Sequence, residues 1–386
     1  MTDYHKSREW LLNSGIQSID NDPKFFGGVN AWFSDKSKDY EFIYTEISGY
    51  YLSSLTEIYL DSLDVDTLHH ADICSKWIIN QALLENGAVI TRRYYAESYD
   101  RFDEKKGIAC TFDVGMCLAG LLNLYSVNKE RYLIDAAINM GDFICRSADQ
   151  FGNFYPLYDC FEGKFFSNSE TWSNQIGSFL LKVCIGLYKL YELLDDKKYL
   201  NVINRALDNV INSQKKDGRF ITNFKEDLTH IHPHCYTTEA LIYIHLKTNE
   251  EKIAKAIELS ARWLICRLRS DSDIFSSIYD IDDNPNLMER SDTLSQILRI
   301  LIYVKQKSII NNEDFKSLFK ILKSKLEIYQ VRSNDIQESG GIMYGTHEDG
   351  NNLNDINTWS TQFFSQAIFW LELDENHQKI NFEYYV

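Results

Sequence analysis

Trp10-Leu11, Trp77-Ile78, Phe143-Ile144, Val210-Ile211 and Trp263-Leu264 repeat one pattern, an aromatic or β-branched residue followed by Leu or Ile, late in an amphipathic stretch. The first three intervals are 67, 66 and 67 residues, and the fourth shortens to 53. A period this regular marks a chain built from stacked copies of one helical unit. A turn rich in glycine or aspartate follows most copies, then a short apolar piece. These are Gly27-Gly28-Val29, Asn86-Gly87-Ala88-Val89, Gly152-Asn153-Phe154, Asp217-Gly218-Arg219-Phe220, Asp273-Ile274-Phe275 and Gly340-Gly341-Ile342. Glycine in such a place supplies the positive φ that ends a helix and turns the chain.

Beyond each turn a second helix is expected, more apolar than the first and richer in small residues. The six starts fall near Glu46-Ile47-Ser48-Gly49, Asp113-Val114-Gly115, Trp172-Ser173-Asn174, Pro233-His234-Cys235, Arg290-Ser291-Asp292 and Asn357-Thr358-Trp359. Small residues such as Gly49, Gly115, Gly120, Gly177 and Ala240 permit close helix approach, and apolar residues on nearly all faces mark helices buried all round. Six units of outer helix, turn and inner helix close into a double ring around a central cleft. The expected fold is therefore all-α, an (α/α)6 toroid formed by residues 1–386 as one domain. An open tetratricopeptide-like solenoid has a period of about 34 residues and no room for these long loops.

Composition sets the function classes aside in turn. The 386 residues are 44% hydrophobic and 25% charged, ordinary for a globular protein, and hold only 4 prolines. A formal net charge of −16 opposes nucleic acid and anionic lipid as partners. No apolar run approaches the roughly 20 residues of a membrane span, and none follows Met1-Thr2-Asp3 as a signal peptide would. The 8 cysteines form no CxxC pair, and Cys117, Cys145 and Cys184 fall on apolar helical faces, as reduced cysteines of a cytoplasmic protein do. There is no phosphate-binding glycine loop, dinucleotide fingerprint or nucleophile elbow, so no cofactor is expected.

Chemistry is expected where loops enter the inner helices, whose N-termini aim positive dipole ends at a ligand. The candidate catalytic groups there are Glu46, Asp113, His234, Tyr236, Glu239 and Asp292. The candidate binding groups are Trp32, Tyr44, Tyr95, Trp172, Asn174, His232, Arg290, Asn357 and Trp359. Flat aromatic faces stack on sugar C–H faces, while carboxylates, amides and guanidinium groups take the hydroxyls. Each candidate also has a plain reading: Glu46 and Asp113 as first-turn acids worth about 0.3–1 kcal/mol, Asn174 and Asn357 as caps. The run His230-Ile231-His232-Pro233-His234-Cys235 offers a histidine base, and it lacks the ligand set of a zinc site.

These residues resemble a known group. The (α/α)6 carbohydrate enzymes include N-acylglucosamine 2-epimerase, the helical domain of glucuronyl C5-epimerase, and several glycoside hydrolases and uronate-processing enzymes. Gly27-Gly28-Val29-Asn30-Ala31-Trp32, Thr45-Glu46-Ile47-Ser48-Gly49-Tyr50 and Phe112-Asp113-Val114-Gly115 look like proteins encoded in bacterial surface-polysaccharide clusters. The resemblance implies a carbohydrate substrate, taken as a sugar, nucleotide-sugar or oligosaccharide, and a possible homodimer. It also implies epimerase-type proton transfer on a uronic acid or amino sugar. Paired-carboxylate hydrolysis, uronate lysis and simple glycan binding are the alternatives. The 2-epimerases place one histidine near the fourth inner helix, where His234 or His232 fits, and another at the sixth. Here the sixth begins Asn357-Thr358-Trp359, and His347 lies in the loop before it.

Overall fold

The computed structural model describes residues 3–270 and 275–385. Met1, Thr2 and the Asp273-Ile274 part of the fifth predicted turn lie outside the described residues. Among the described residues twelve α-helices alternate between an outer and an inner ring. The outer ones are α1 (Asp3–Asn13), α3 (Val65–Trp77), α5 (Arg131–Ser147), α7 (Lys197–Ser213), α9 (Glu251–Ser270) and α11 (Phe315–Tyr329). The inner ones are α2 (Thr45–Ser62), α4 (Thr111–Asn128), α6 (Cys184–Leu194), α8 (Ile231–Thr248), α10 (Ser291–Gln306) and α12 (Thr358–Glu375). Each inner helix packs on the next, and α12 returns to pack on α2, so the ring closes. None of the described helices is long and apolar enough to cross a membrane.

The pairing of helices differs from the expected order of outer helix, turn, inner helix. The tight connections run from inner to outer: α2–α3, α4–α5, α6–α7 and α8–α9 each pass through a left-handed residue, Leu63, Lys129, Asp195 and Asn249. The sixth hairpin joins opposite ends of the chain, with α1 packed on α12. A second difference concerns the third inner helix. Trp172–Asn174 forms a single 3-10 turn, the backbone is extended again at Gly177, and a 3-10 segment over Ser178–Val183 leads into α6. The other inner-helix starts fall within two residues of their expected places.

The two sequence patterns turn out to be halves of one contact. Gly27, Gly87, Gly152, Gly218 and Gly340 all have positive φ, and each lies on the backbone of an outer helix, beside Ile73, Asn139, Arg205, Leu259 and Lys6 respectively. Those contacts sit about one turn before Trp77, Phe143, Val210, Trp263 and Trp10. Two of the indoles also reach back to the loop: Trp77 Nε1 donates to the Lys24 carbonyl (2.7 Å) and Trp10 Nε1 to the Gln337 carbonyl (2.8 Å). A β-carbon at residue 218 would stand 2.1 Å from the Leu259 carbonyl oxygen, with φ at +103°.

The long outer-to-inner loops carry eleven short strands among the described residues: β1 (Trp32–Phe33), β2 (Phe42–Tyr44), β3 (Arg92–Tyr94), β4 (Ile108–Cys110), β5 (Leu157–Asp159), β6 (Lys164–Phe166), β7 (Thr229–His230), β8 (Ile278–Tyr279), β9 (Glu289–Arg290), β10 (Met343–Thr346) and β11 (Asn352–Asn357). They collect at the mouth as small antiparallel sheets, the largest in the order β1-β11-β10-β9. All eight cysteines are free. Gly218→Ala is expected to lower the unfolding free energy by about 2–3 kcal/mol in urea titrations. Gly350→Ala, at φ +81° with nothing within 4 Å, should cost no more than about 1–2 kcal/mol.

Candidate active site

Five inner helices begin at the last residue of a strand or just beyond it: β2 feeds α2, β4 feeds α4, β7 feeds α8, β9 feeds α10 and β11 feeds α12. The residue before each helix is extended, and Asn357 alone of these five caps its helix with a side chain, accepting from Ser360 N (3.0 Å). The second helical residue reaches the ring's mouth at four of these starts, Glu46, Phe112, His232 and Trp359, while at α10 the second residue, Asp292, stays behind the lining. Around them lies a cavity of about 290 Å³. It brings together Tyr44, Glu46, Asp113, Trp172, His232, Tyr236, Arg290 and Trp359 from the sequence expectation.

The other candidates sit behind this lining. His232 and His234 are two residues apart on a helix, about 200° around the axis, so only one can face inward. His234 points at α9, with Nε2 against Ser260 Oγ (2.9 Å), Nδ1 against Phe220 N (3.3 Å) and its ring on Trp263. This corrects its expected place as the cleft histidine, which His232 takes. Glu239 is sealed below the floor by Lys182 (2.7 Å) and Arg299 (2.6 Å). Asp292 is buried and spent on structure, holding Arg290 and accepting from Trp359 Nε1 (2.9 Å). Asn174 packs against Asn168 (3.1 Å), and Asn357 is the cap already described. Trp32 stands edge-on behind Phe42 and Trp359 as a second layer of wall. Tyr95 stacks on Phe25, and its hydroxyl donates to Asn30 Oδ1 (3.0 Å).

Sequence reasoning missed Arg92, Phe102, Cys110 and Phe179, all in the lining. Arg92 arrives because β3 pairs with β2, setting it opposite Tyr44. Its guanidinium lies over Phe42, Tyr44 and Phe102 and pairs with Asp100. That register is a long-range pairing with no local signal.

Two carboxyl groups dominate the electrostatics. Burial pushes Asp113 well above the usual carboxylate range; the neighbouring Glu46 adds to it, and Arg92 and Thr91 draw it back. One oxygen, Asp113 Oδ2, is buried with no hydrogen-bond partner. Burial also raises Glu46, but the Tyr44 hydroxyl and the Lys182 and Arg92 charges oppose it. Two adjacent carboxyls cannot both ionise cheaply, and the stronger upward push falls on Asp113, which makes it the better proton holder of the two. His232 is pushed by burial to about 3 and is neutral. Its Nδ1 faces Gln296 Oε1 (2.8 Å), and that amide's nitrogen faces Glu239, so Nδ1 carries the proton and Nε2 keeps its lone pair. Tyr44 and Tyr236 are held well above the usual phenol range by burial and remain donors. Among the described residues no three His, Cys, Asp or Glu side chains converge as a metal site.

No protein-family model matches this chain, and no curated protein sequence does. Solved structures match over nearly the whole length. A sugar epimerase from a ruminal bacterium superposes with a TM-score of 0.77 at 11% identity, covering 98% of this chain and 100% of its own. Cellobiose 2-epimerase from Bacillus thermoamylovorans B4167 gives 0.76 at 14%, with 97% and 99% covered. Unsaturated glucuronyl hydrolase from Bacillus sp. GL1 gives 0.67 at 13%, with 96% and 97% covered. The fold is the (α/α)6 toroid. At these identities the likeness speaks for the toroid, and the chemistry has to be read from the cavity.

The buried histidines make a testable demand on stability. His232 and His234 both have folded-state values near 3 against 6.5 in an open chain, so the unfolded chain takes up protons that the folded one refuses. Their contribution is intact above pH 6.5 and is lost as pH falls toward 3, by about 1.4 kcal/mol per pH unit for each. His234→Gln should flatten the acid-side decline of unfolding free energy by about one proton, read by denaturant titrations from pH 7 to 4.

Proposed function

We propose that this protein is a carbohydrate-active enzyme whose acid–base pair is Asp113 and Glu46, and that it hydrolyses a glycosidic bond. The observation that carries this reading is the pair itself: two carboxyls at the heads of adjacent inner helices, in one cavity, with ionisations driven apart. Protonated Asp113 donates to the leaving oxygen as the C–O bond breaks. Ionised Glu46 takes the proton of an attacking water, or attacks the sugar carbon itself. Trp172, Trp359, Phe112 and Tyr236 supply faces for sugar rings, and His232 Nε2 accepts from a sugar hydroxyl. A cavity of about 290 Å³ suits a short stretch of glycan.

Epimerisation is the second reading, favoured by the full-length likeness to sugar epimerases. It requires a base for a C–H proton, and His232, whose conjugate acid has a value of about 3, is poorly matched to that task. Glu46 would serve instead, with Arg290 stabilising the carbanion's charge.

Incubation of the protein with a panel of oligosaccharides in D2O, followed by proton NMR, separates the two. New reducing ends without ring deuterium are expected. Deuterium at one ring carbon without new ends would overturn hydrolysis in favour of epimerisation. Asp113→Asn and Glu46→Gln should each lower kcat by roughly 10²- to 10⁴-fold with the fold intact by circular dichroism.

A further inference from the structure

The inner helices α8 and α10 meet along two polar stripes that run from the cavity down into its floor. His232, Tyr236 and Glu239 stand at i, i+4 and i+7 on α8, and Asp292, Gln296 and Arg299 do the same on α10. The stripes touch in order. His232 Nδ1 stands 2.8 Å from Gln296 Oε1 and 3.4 Å from Asp292 Oδ2. Gln296 Nε2 stands 3.3 and 3.4 Å from the two oxygens of Glu239. Glu239 in turn accepts from Arg299 on Oε1 (2.6 Å) and from Lys182 on Oε2 (2.7 Å). Gln296, Glu239 and Asp292 have no exposed surface.

An amide has one end that donates and one that accepts, whereas a carboxylate only accepts. The Gln296 nitrogen therefore faces Glu239, because the amide oxygen in that place would oppose two acceptors away from water. That choice leaves Oε1 against His232, where it needs a donor. Asp292 Oδ2, the other oxygen facing Nδ1, needs a donor as well. Neutral His232 has one ring hydrogen to place, and both neighbours claim it for Nδ1. Turning the ring over would break both contacts. Among the described residues Nε2 has no protein partner and is not enclosed, so its lone pair opens on the cavity that the ring lines.

We propose that Glu239 is a positioning residue: acting through the Gln296 amide, it fixes the His232 proton on Nδ1 and makes the imidazole a pure acceptor toward the ligand. The consequence is specificity. A sugar position set against Nε2 has to bring a donor, a hydroxyl or an amide N–H. A carbonyl, ether or carboxylate oxygen there meets lone pair with lone pair and is refused. Apolar residues of similar volume are often as stable as a buried ionic set, so stability alone leaves this arrangement unexplained. The specificity rests on the reading of the cavity as a sugar site, whereas the proton lock is present without any ligand.

The test is 15N NMR of histidine-labelled protein without ligand, with the His232 signals assigned by their loss in His232→Gln. At neutral pH wild-type His232 should show a pyrrole-type Nδ1 and a pyridine-type Nε2. In Glu239→Gln the neighbour no longer dictates which end Gln296 offers, and the two 15N signals should move toward each other as the tautomers mix. Gln296→Met keeps the volume and removes the amide, and should do the same. It decides the matter even where Glu239→Gln, which strips two cations of their carboxylate, does not fold. A merely structural role would leave the signals in place. With the first oligosaccharide of the panel that is cleaved, Gln296→Met should raise KM by roughly 2- to 10-fold, the worth of one neutral hydrogen bond, with kcat less affected. A proton on Nε2 in the wild-type protein, unmoved signals in either folded variant, or an unchanged KM overturns the proposal. Failure of the wild-type protein to cleave any oligosaccharide would strike the hydrolytic reading instead, and the 15N signals would still decide the lock on His232.

Discussion

An inner helix of this chain has no face that it can leave in water. Along α2, α4, α8, α10 and α12 nearly every residue is buried, polar ones included. Each such helix needs a neighbour on both flanks and an outer helix behind it, and only a closed ring supplies that for all six at once. Closure leaves the helix ends as the places where a side chain can meet solvent. The far ends are used by turns, so the N-termini become the site.

That geometry also selects which chemistry is possible. A carboxyl at the second or third position of a helix normally gains from the dipole and ionises readily. Here the surrounding ring removes water from both Glu46 and Asp113, and desolvation outweighs the dipole. The nearby cations then act unequally, Lys182 and Arg92 opposing the rise at Glu46 and Arg92 opposing it at Asp113, and Asp113 is left the more strongly raised of two residues of similar chemistry.

The repeat was legible because one contact recurs: a glycine of positive φ pressed on an outer helix, one turn before a large apolar residue. Both halves of that contact need particular residue types, and both left a trace in the sequence. The helix heads were legible for a similar reason, since a strand running straight into a helix put the cavity residues at fixed places. What was not legible depends on rotation and long-range pairing. The pattern His232-Pro233-His234 does not say which imidazole faces the cavity until the phase of α8 is fixed by Trp263 and Ser260. Arg92 depends on the β2–β3 register, and Lys182 on a helix start delayed past the extended Gly177. The sequence pattern at Trp172-Ser173-Asn174 resembled the other heads, yet it builds only a single turn.

The pairing of α1 with α12 has a consequence for how the molecule comes into being. Ser7 Oγ donates to the Gly340 carbonyl, and Gln330 Nε2 donates to the Asp3 carbonyl, contacts between residues more than 300 apart. During synthesis α1 leaves the ribosome first, and its partner follows only after almost every other helix. Until then Trp10 lacks the loop at 337–341 that covers its indole, while the inner-to-outer hairpins can form locally as they appear. The first helix is thus the last to be locked, and the ring is completed in the manner of a clasp.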